Sequence, residues 1–324
     1  MSLFAIVGGE TLLGRELREV LGEIRPEPRV QLISAAAEGS AILGADEDEP
    51  VVMLPLNSAS LEGSIVTFLA ASAASSRRTL KLDPRSAIID LTAALEERPD
   101  ARLRAPSVEI GGAKPPVRVQ VIAHPAAIVI ASFLTKAAQV SPIRSAIIHI
   151  FEPASERGKA GLDELQKQTV AVLAFKKLPT EIFDAQLAFS MLARYGEEAT
   201  EPLEGVEERI ERHLASLLAA WPGVPMPSLR LIQAPVFHGH SFSVWIELDE
   251  NPGVKKFAAH LEKFGLDVRP DDPPANAAIA GQSGVSAGAI TRDPNNRRAL
   301  WVWLVADNLR IAAENAAAVA REML

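Results

Sequence analysis

The sequence predicts an α/β fold, with a mostly parallel, helix-covered sheet in the first third of the chain and a second domain of different character after it. Three observations carry that expectation. The chain opens as strand, glycine turn and amphipathic helix. Short apolar strands then recur with helical or loop sequence between them, the mark of βα units. From about residue 125 the pattern changes to longer β-branched strands and longer helices. With 324 residues, 48% of them apolar, the chain has enough core-forming sequence for two domains.

Each element has a local reason. Leu3 to Val7 is β-compatible, Gly8 and Gly9 make the turn, and Leu12, Leu13, Leu17, Val20 and Leu21 recur at helical spacing. Further strands are expected at Val30 to Ile33, Ser64 to Leu69, Ala87 to Asp90 and Val117 to Ile122, with Asp46-Glu47-Asp48-Glu49 as a solvated loop. A helix from Pro125 to Gln139 leads into a β-branched strand, Arg144 to Ile150. After Gly158 and Gly161 a helix places Leu162, Leu165, Thr169, Val172 and Leu173 on one face. Residues 222–227 and 269–281, rich in Pro, read as loops. Strands at Ser241 to Leu248 and Ala299 to Val305 follow. The chain closes on an alanine-rich helix, Asn308 to Leu324, of high intrinsic helicity.

Composition narrows the function. Lys and Arg number 33 against 41 Asp and Glu, a net charge of −8, so neither nucleic acid nor an anionic membrane surface is an expected partner. The longest apolar stretch, Val119 to Leu134, is broken by His124 and Pro125 and falls short of a membrane span. The opening residues read as a core strand and not as a leader, and a cytoplasmic location is expected. There is no cysteine, which excludes disulfides, thiolate metal sites and any thiol nucleophile. His238 and His240, two apart on an expected strand approach, would share a face, but no third ligand stands at metal-site spacing.

Four segments, in order and suitably separated, together resemble the aspartate-semialdehyde dehydrogenase family. They are Val7-Gly8-Gly9-Glu10-Thr11-Leu12-Leu13-Gly14, Ser155 to Leu165, Ala234-Pro235-Val236-Phe237-His238-Gly239-His240-Ser241, and Ala306 to Ala316. The resemblance implies a Rossmann-type, doubly wound parallel sheet in residues 1–123, completed by 308–324, with an α+β catalytic and dimerisation domain in 124–307. It implies NADP as cofactor, held by Gly8, Gly9, Thr11, Leu12, Leu13, Gly14, Ser34 and Asn308, and a homodimer. It also implies a family reaction, the interconversion of aspartyl phosphate and aspartate semialdehyde through a cysteine thioester.

Measured against that pattern, the functional positions have changed. Thr11 stands where the family has its middle glycine, and Ser34-Ala35-Ala36-Ala37-Glu38 carries no arginine for a 2′-phosphate. Glu96 stands where an anion-binding arginine is expected. Ala127, in His124-Pro125-Ala126-Ala127, occupies the nucleophile position, Glu152 that of the glutamine orienting the acyl group, and Gln233 that of the arginine binding the substrate carboxylate. His240 matches the acid/base histidine, a residue type suited to proton transfer near neutral pH. One engineered Cys-to-Ala exchange would not account for Thr11, Ala37, Glu96, Glu152 and Gln233 together.

Three readings follow from these residues. In the first, the chain is a non-catalytic family member, kept as a folded dimer that binds a small molecule or a protein. In the second, it is an NAD(P)-dependent oxidoreductase that reduces a carbonyl directly with His240 as proton donor. The third keeps the family reaction with Ser132 or Ser155 as nucleophile, which would give an ester and need its own base.

Overall fold

The structure, a computed structural model, describes residues 2–36, 42–46, 49–111 and 117–324; Ala37, Glu38, Glu47 and Asp48 lie outside the described residues. The chain divides into two compact units, residues 1–124 with 312–324 and residues 125–311.

In the first unit the elements run β1 (Leu3–Val7), α1 (Leu12–Gly22), β2 (Arg29–Ile33), β3 (Ile42–Asp46), β4 (Glu49–Met53), α2 (Ser58–Leu61), β5 (Val66–Leu69), α3 (Ala73–Lys81), β6 (Ala87–Asp90), β7 (Ala101–Arg104) and β8 (Val119–Ile122). Six strands form one sheet in the order β2-β1-β5-β6-β8-β7, every neighbouring pair parallel. Both faces of its central strands are buried, which is why they read as continuous apolar runs. Ala5 and Val7 pack with Ile33, Leu69, Ile88 and Val121 in one cluster. On the same strands Phe4 and Phe68 meet edge-on, ring centroids 5.8 Å apart. The acidic stretch at 46–49 differs from the expected loop at its ends, because Asp46 and Glu49 are paired residues of the antiparallel β3–β4 hairpin.

The second unit holds α4 (Pro125–Ala137), β9 (Ile143–Glu152), α5 (Gly158–Leu173), α6 (Leu203–Leu218), β10 (Ser228–Gln233), β11 (His240–Leu248), α7 (Val254–Lys263), β12 (Asp267–Arg269), β13 (Ser286–Arg292) and β14 (Ala299–Ala306). It also holds the first residues of α8 (Asn308–Arg321). Its sheet is mixed, ordered β10-β9-β11-β14-β13-β12. One face is packed, with Ile148, Ile150, Val244, Ile246, Val302 and Leu304 all buried. The other presents Ile147, Phe151, Trp245, Trp301 and Trp303, half-buried or exposed. The later residues of α8 belong to the first unit, where Asn315 accepts from the Ser107 hydroxyl at 2.9 Å and Glu322, just beyond the helix, pairs with the buried Arg104 at 2.7 Å.

The helix expected after Gly158 includes both glycines, and its buried face differs from the expected one. Gly161, Glu164, Leu165, Gln168 and Ala171 point inward, while Val170 and Leu173 are exposed. The reason is backbone satisfaction. Glu164 accepts from the amides of Ile182 and Phe183, and Gln168 accepts from those of Leu187 and Ala188, so two polar side chains hold a long segment that has no ladder of its own. Apolar periodicity is blind to such a face. The helices α6 and α7 and the strands β7, β10, β12 and β13 are also additions to the sequence reading.

Candidate functional site

The first candidate site is the glycine turn. Gly14 lies so close to the preceding turn that a Cβ there would stand 2.1 Å from the Gly8 carbonyl oxygen, so only glycine lets α1 start against β1. Thr11, which stands where the family has its middle glycine, caps the helix. Its hydroxyl accepts from Gly14 N at 2.9 Å and lies 2.8 Å from the Ala70 carbonyl, so the side chain is turned into the protein. Glu10 reaches across to the end of β2, where its Oε1 accepts from Ala35 N at 2.8 Å, with the Ser34 hydroxyl 3.4 Å away. Gly8, Gly9, Thr11, Leu12, Leu13, Gly14 and Ser34 are thereby gathered at the carboxyl ends of β1 and β2, where ligands of open parallel sheets bind. At the end of β6, buried Asp90 caps the next turn by accepting from the amides of Thr92 and Leu95. Burial raises its pKa, and the Glu96 carboxylate adds to the rise.

The second site forms where three strands of the other unit end or begin. β10 runs parallel to β9 in a register that sets Gln233 beside Glu152. β11 runs antiparallel to β9 and pairs Ser241 with Phe151, which brings His240 to the same level. Glu152, Gln233 and His240 are all completely buried. The carboxamide of Gln233 is spent within the protein: Nε2 donates to the carbonyls of Glu152 (2.8 Å) and Ala234 (3.0 Å), and Oε1 accepts from the Tyr195 hydroxyl at 2.5 Å. Ala127, the fourth expected catalytic position, lies wholly buried in the first turn of α4.

Further charge at this site comes from Glu156 and Arg157, which lie in the second resembling segment without an assigned role, and from Glu201 and Arg209, which the sequence reading did not single out. Arg157, on the 3-10 turn after β9, pairs with Glu152 at 3.0 Å and with Glu201 at 3.4 Å, and its guanidinium lies 5.6 Å from the centroid of the Tyr195 ring. Arg209 pairs with Glu201 at 2.5 Å, and Glu156 stands 3.9 Å from His240 Nε2. A buried acid at 152 demands a cation, and that demand is the signal that could have found Arg157. Tyr195 is the single tyrosine of the chain and left no pattern.

Burial pushes Glu152 up to about 7, a rise that Arg157 limits. Burial pushes His240 down to about 4, with Glu152 and Asp307 opposing the shift. At neutral pH the imidazole is therefore neutral, and Glu152 stands near its midpoint, about half protonated.

Asn308, expected at the cofactor, ties this second site together. Its Oδ1 accepts from the Ser155 hydroxyl (3.1 Å) and Gly239 N (3.2 Å), and its Nδ2 donates to Glu156 at 2.9 Å. His238 and His240 do not share a strand face, because β11 begins only at His240 and Gly239 between them has φ +80°, outside the strand conformation. Among the described residues no three or more His, Asp or Glu could together hold a metal ion, and no helix is long and apolar enough to cross a membrane.

Comparison with known proteins agrees with this architecture. A family model described as semialdehyde dehydrogenase, dimerisation domain, matches residues 135–311. An aspartate-semialdehyde dehydrogenase of Rickettsia bellii is 26% identical over 99% of this chain and 97% of its own length. Among solved structures, aspartate semialdehyde dehydrogenase II of Vibrio cholerae complexed with ASA superposes with a TM-score of 0.84 at 20% identity, covering 100% of this chain and 98% of that one. The Candida albicans aspartate semialdehyde dehydrogenase with NADP gives 0.66 at 15%, covering 100% and 98%; at such identities the likeness is one of fold. With the family model matched over more than half of its 324 residues and a relative of that name aligned along nearly all of it, the chain belongs to the aspartate-semialdehyde dehydrogenase family.

Proposed function

We propose that this chain keeps the family architecture as a dinucleotide-binding homodimer but does not form the family's thioester, and so does not interconvert aspartyl phosphate and aspartate semialdehyde. One observation carries the reading: the nucleophile position is the buried methyl group of Ala127, in a chain without cysteine. The other positions agree. Gln233 has no free amide group for a substrate carboxylate, and Arg157 and Arg209 are already paired with Glu152 and Glu201. In this reading residues 1–123 with 308–324 hold the dinucleotide and 124–307 hold the substrate cleft and dimer face. The glycine turn fits a pyrophosphate. The Thr11 side chain points inward and Gly14 N is capped, which leaves the Leu12 and Leu13 amides as donors of the first helical turn.

The test is Ala127→Cys. The variant is expected to alkylate with a thiol reagent and to show no NADP-dependent turnover of aspartate semialdehyde in the presence of phosphate. A nucleophile alone does not restore the substrate clamp, and each charged contact missing from a buried site costs roughly 2–5 kcal/mol. Adding Gln233→Arg should raise substrate affinity first. Readily measured turnover by Ala127→Cys alone, or by the unaltered protein, would sink the reading.

A second reading, direct reduction of a carbonyl without an acyl-enzyme, is favoured by one observation. Glu152, pushed up to about 7, still carries a proton in a large share of molecules at neutral pH, beside neutral His240. In that case Glu152, not His240, supplies the proton, and Glu152→Gln removes the activity while His240→Gln leaves part of it.

The dimer is expected to form on the open face of the second sheet. Ile147 and Trp301 are 44% and 37% exposed there, a stripe of large apolar groups that a monomer seldom leaves in water. Light scattering should give about twice the chain mass of 34.7 kDa, and Ile147→Asp should bring it to the monomer value. A monomeric unaltered protein at micromolar concentration would refute this placement.

A further inference from the structure

We infer that residues 192–201 are a strap that closes the second site, latched by Glu201 on Arg157 and Arg209, and that a small molecule bearing a carboxylate opens it by taking the place of Glu201. The inference rests on the reading of residues 124–307 as the half that holds the ligand cleft. Glu152, Gln233 and His240 are completely buried, so a ligand reaches them only if a covering segment moves. The groups of the latch, in contrast, meet solvent: the side chains of Glu201, Arg209 and Arg157 are 32%, 25% and 10% exposed.

The strap is the last stretch before α6, in a long connection from α5 that has no helix or named strand of its own. Its contacts with the site follow one another along the chain. Leu192 N donates to the Gln233 carbonyl and Gln233 N to that of Leu192, both at 2.9 Å, as an isolated bridge on β10. The Tyr195 hydroxyl donates to Gln233 Oε1 at 2.5 Å. Glu201 ends the run, with Oε2 3.4 Å from Arg157 Nη1 and Oε1 2.5 Å from Arg209 Nη2. Between these contacts the backbone is held by scattered bonds, Gly196 N to the Phe183 carbonyl and Glu198 N to the Asp184 carboxylate, and not by a ladder. Such a segment opens at lower cost than the strands it rests on.

The chemistry of the ligand follows from the latch. Two guanidinium groups, one rooted after β9 and one on α6, converge on a single carboxylate, and that carboxylate belongs to the strap. The pairing of Arg157 with Glu152 is buried on both sides and is closed to exchange. The pairings with Glu201 are partly solvated, in the range where an ion pair adds little to stability, so an incoming carboxylate replaces Glu201 on nearly even terms. A guanidinium presents its donors as a planar fork that a carboxylate matches.

The experiment is hydrogen exchange on the full-length protein, read by mass spectrometry in the peptides that contain Leu192, Gly196, Glu198 and Gln233, with succinate as the probe. Succinate is expected to speed exchange in these peptides roughly three- to tenfold, the scale of one or two partly exposed ion pairs, while α6 and the rest of β9 keep their rates. Sodium chloride at equal ionic strength should leave the strap unchanged, and inorganic phosphate should act less than succinate. Glu201→Gln keeps the shape and removes the charge, and should reproduce the acceleration without succinate. Arg209→Gln should do the same from the other end of the latch. Succinate acting no more than chloride overturns the inference, as does unchanged strap exchange in a folded Glu201→Gln variant. Phosphate acting as strongly as succinate overturns the carboxylate as ligand class. Acceleration spread evenly over the strap, α6 and β9 would make Glu201 a support of the whole domain and equally overturn the strap. A strap that stays shut defeats this inference alone, because the Ala127→Cys assay judges the absence of thioester chemistry separately.

Discussion

Arg157→Met is expected to destabilise the protein more at about pH 9 than at about pH 6, by up to about 3–5 kcal/mol, because it leaves Glu152 without its cation wherever that carboxyl is ionised. Arg157 answers a completely buried Glu152 at 3.0 Å and a half-buried Glu201 at 3.4 Å, and its side chain is 10% exposed, so water is poorly placed to replace it. Tyr195 would lose the guanidinium stacked near its ring as well. The loss is directional. Glu152→Gln alone replaces the acid by a neutral amide of nearly the same shape and should cost much less. Combining it with Arg157→Met should recover a large part of the single-variant loss, because the charge that needed compensation is gone. Urea unfolding of the three variants measures the coupling. A cost below about 1 kcal/mol for Arg157→Met at about pH 9 would place the pair in the range of solvent-exposed ion pairs and contradict its burial.

Opposite pH slopes are expected from Glu152 and His240. For the histidine, the native pKa of about 4 lies below the ordinary value of 6.5. Between those values the unfolded chain binds a proton that the native chain does not, so this group makes stability rise with pH. For Glu152 the native value of about 7 lies above the ordinary 4.5, so the native chain holds a proton that the unfolded chain has lost, and stability falls as pH rises through that window. Glu156, also raised by burial, adds to the fall. In the unaltered protein the opposing contributions overlap between about pH 4.5 and 6.5 and flatten the profile. Removing one exposes the other: Glu152→Gln should gain stability more steeply on going up from pH 4 to 6.5, and His240→Gln should lose it on going from 4.5 to 7. Urea midpoints across that range decide the matter, and slopes of the same sign in the two variants would mean that one of the groups titrates in contact with water.

The candidate site was legible to different depths. The glycine turn could be read because steric demand acts locally: Gly8 and Gly14 are required by the backbone within a few residues of themselves. The role of Thr11 was not legible in the same way, since the direction of its hydroxyl depends on the Ala70 carbonyl, 59 positions further along. Positions 152, 233 and 240 were found through resemblance. Their strands meet only through sheet register, and nothing in their spacing says that they share one buried level.

Periodicity, glycine placement and the absence of cysteine were enough to specify a parallel α/β half, a change of character from about residue 125 and a chain that cannot make a thioester, because each depends on residue type and short-range order. The inward polar face of α5, the pairing of Arg157 with Glu152 and the reach of Glu10 to the end of β2 were decided only by packing. Each is an answer to a buried polar group, and which groups become buried together is a property of the assembled fold and not of any segment within it.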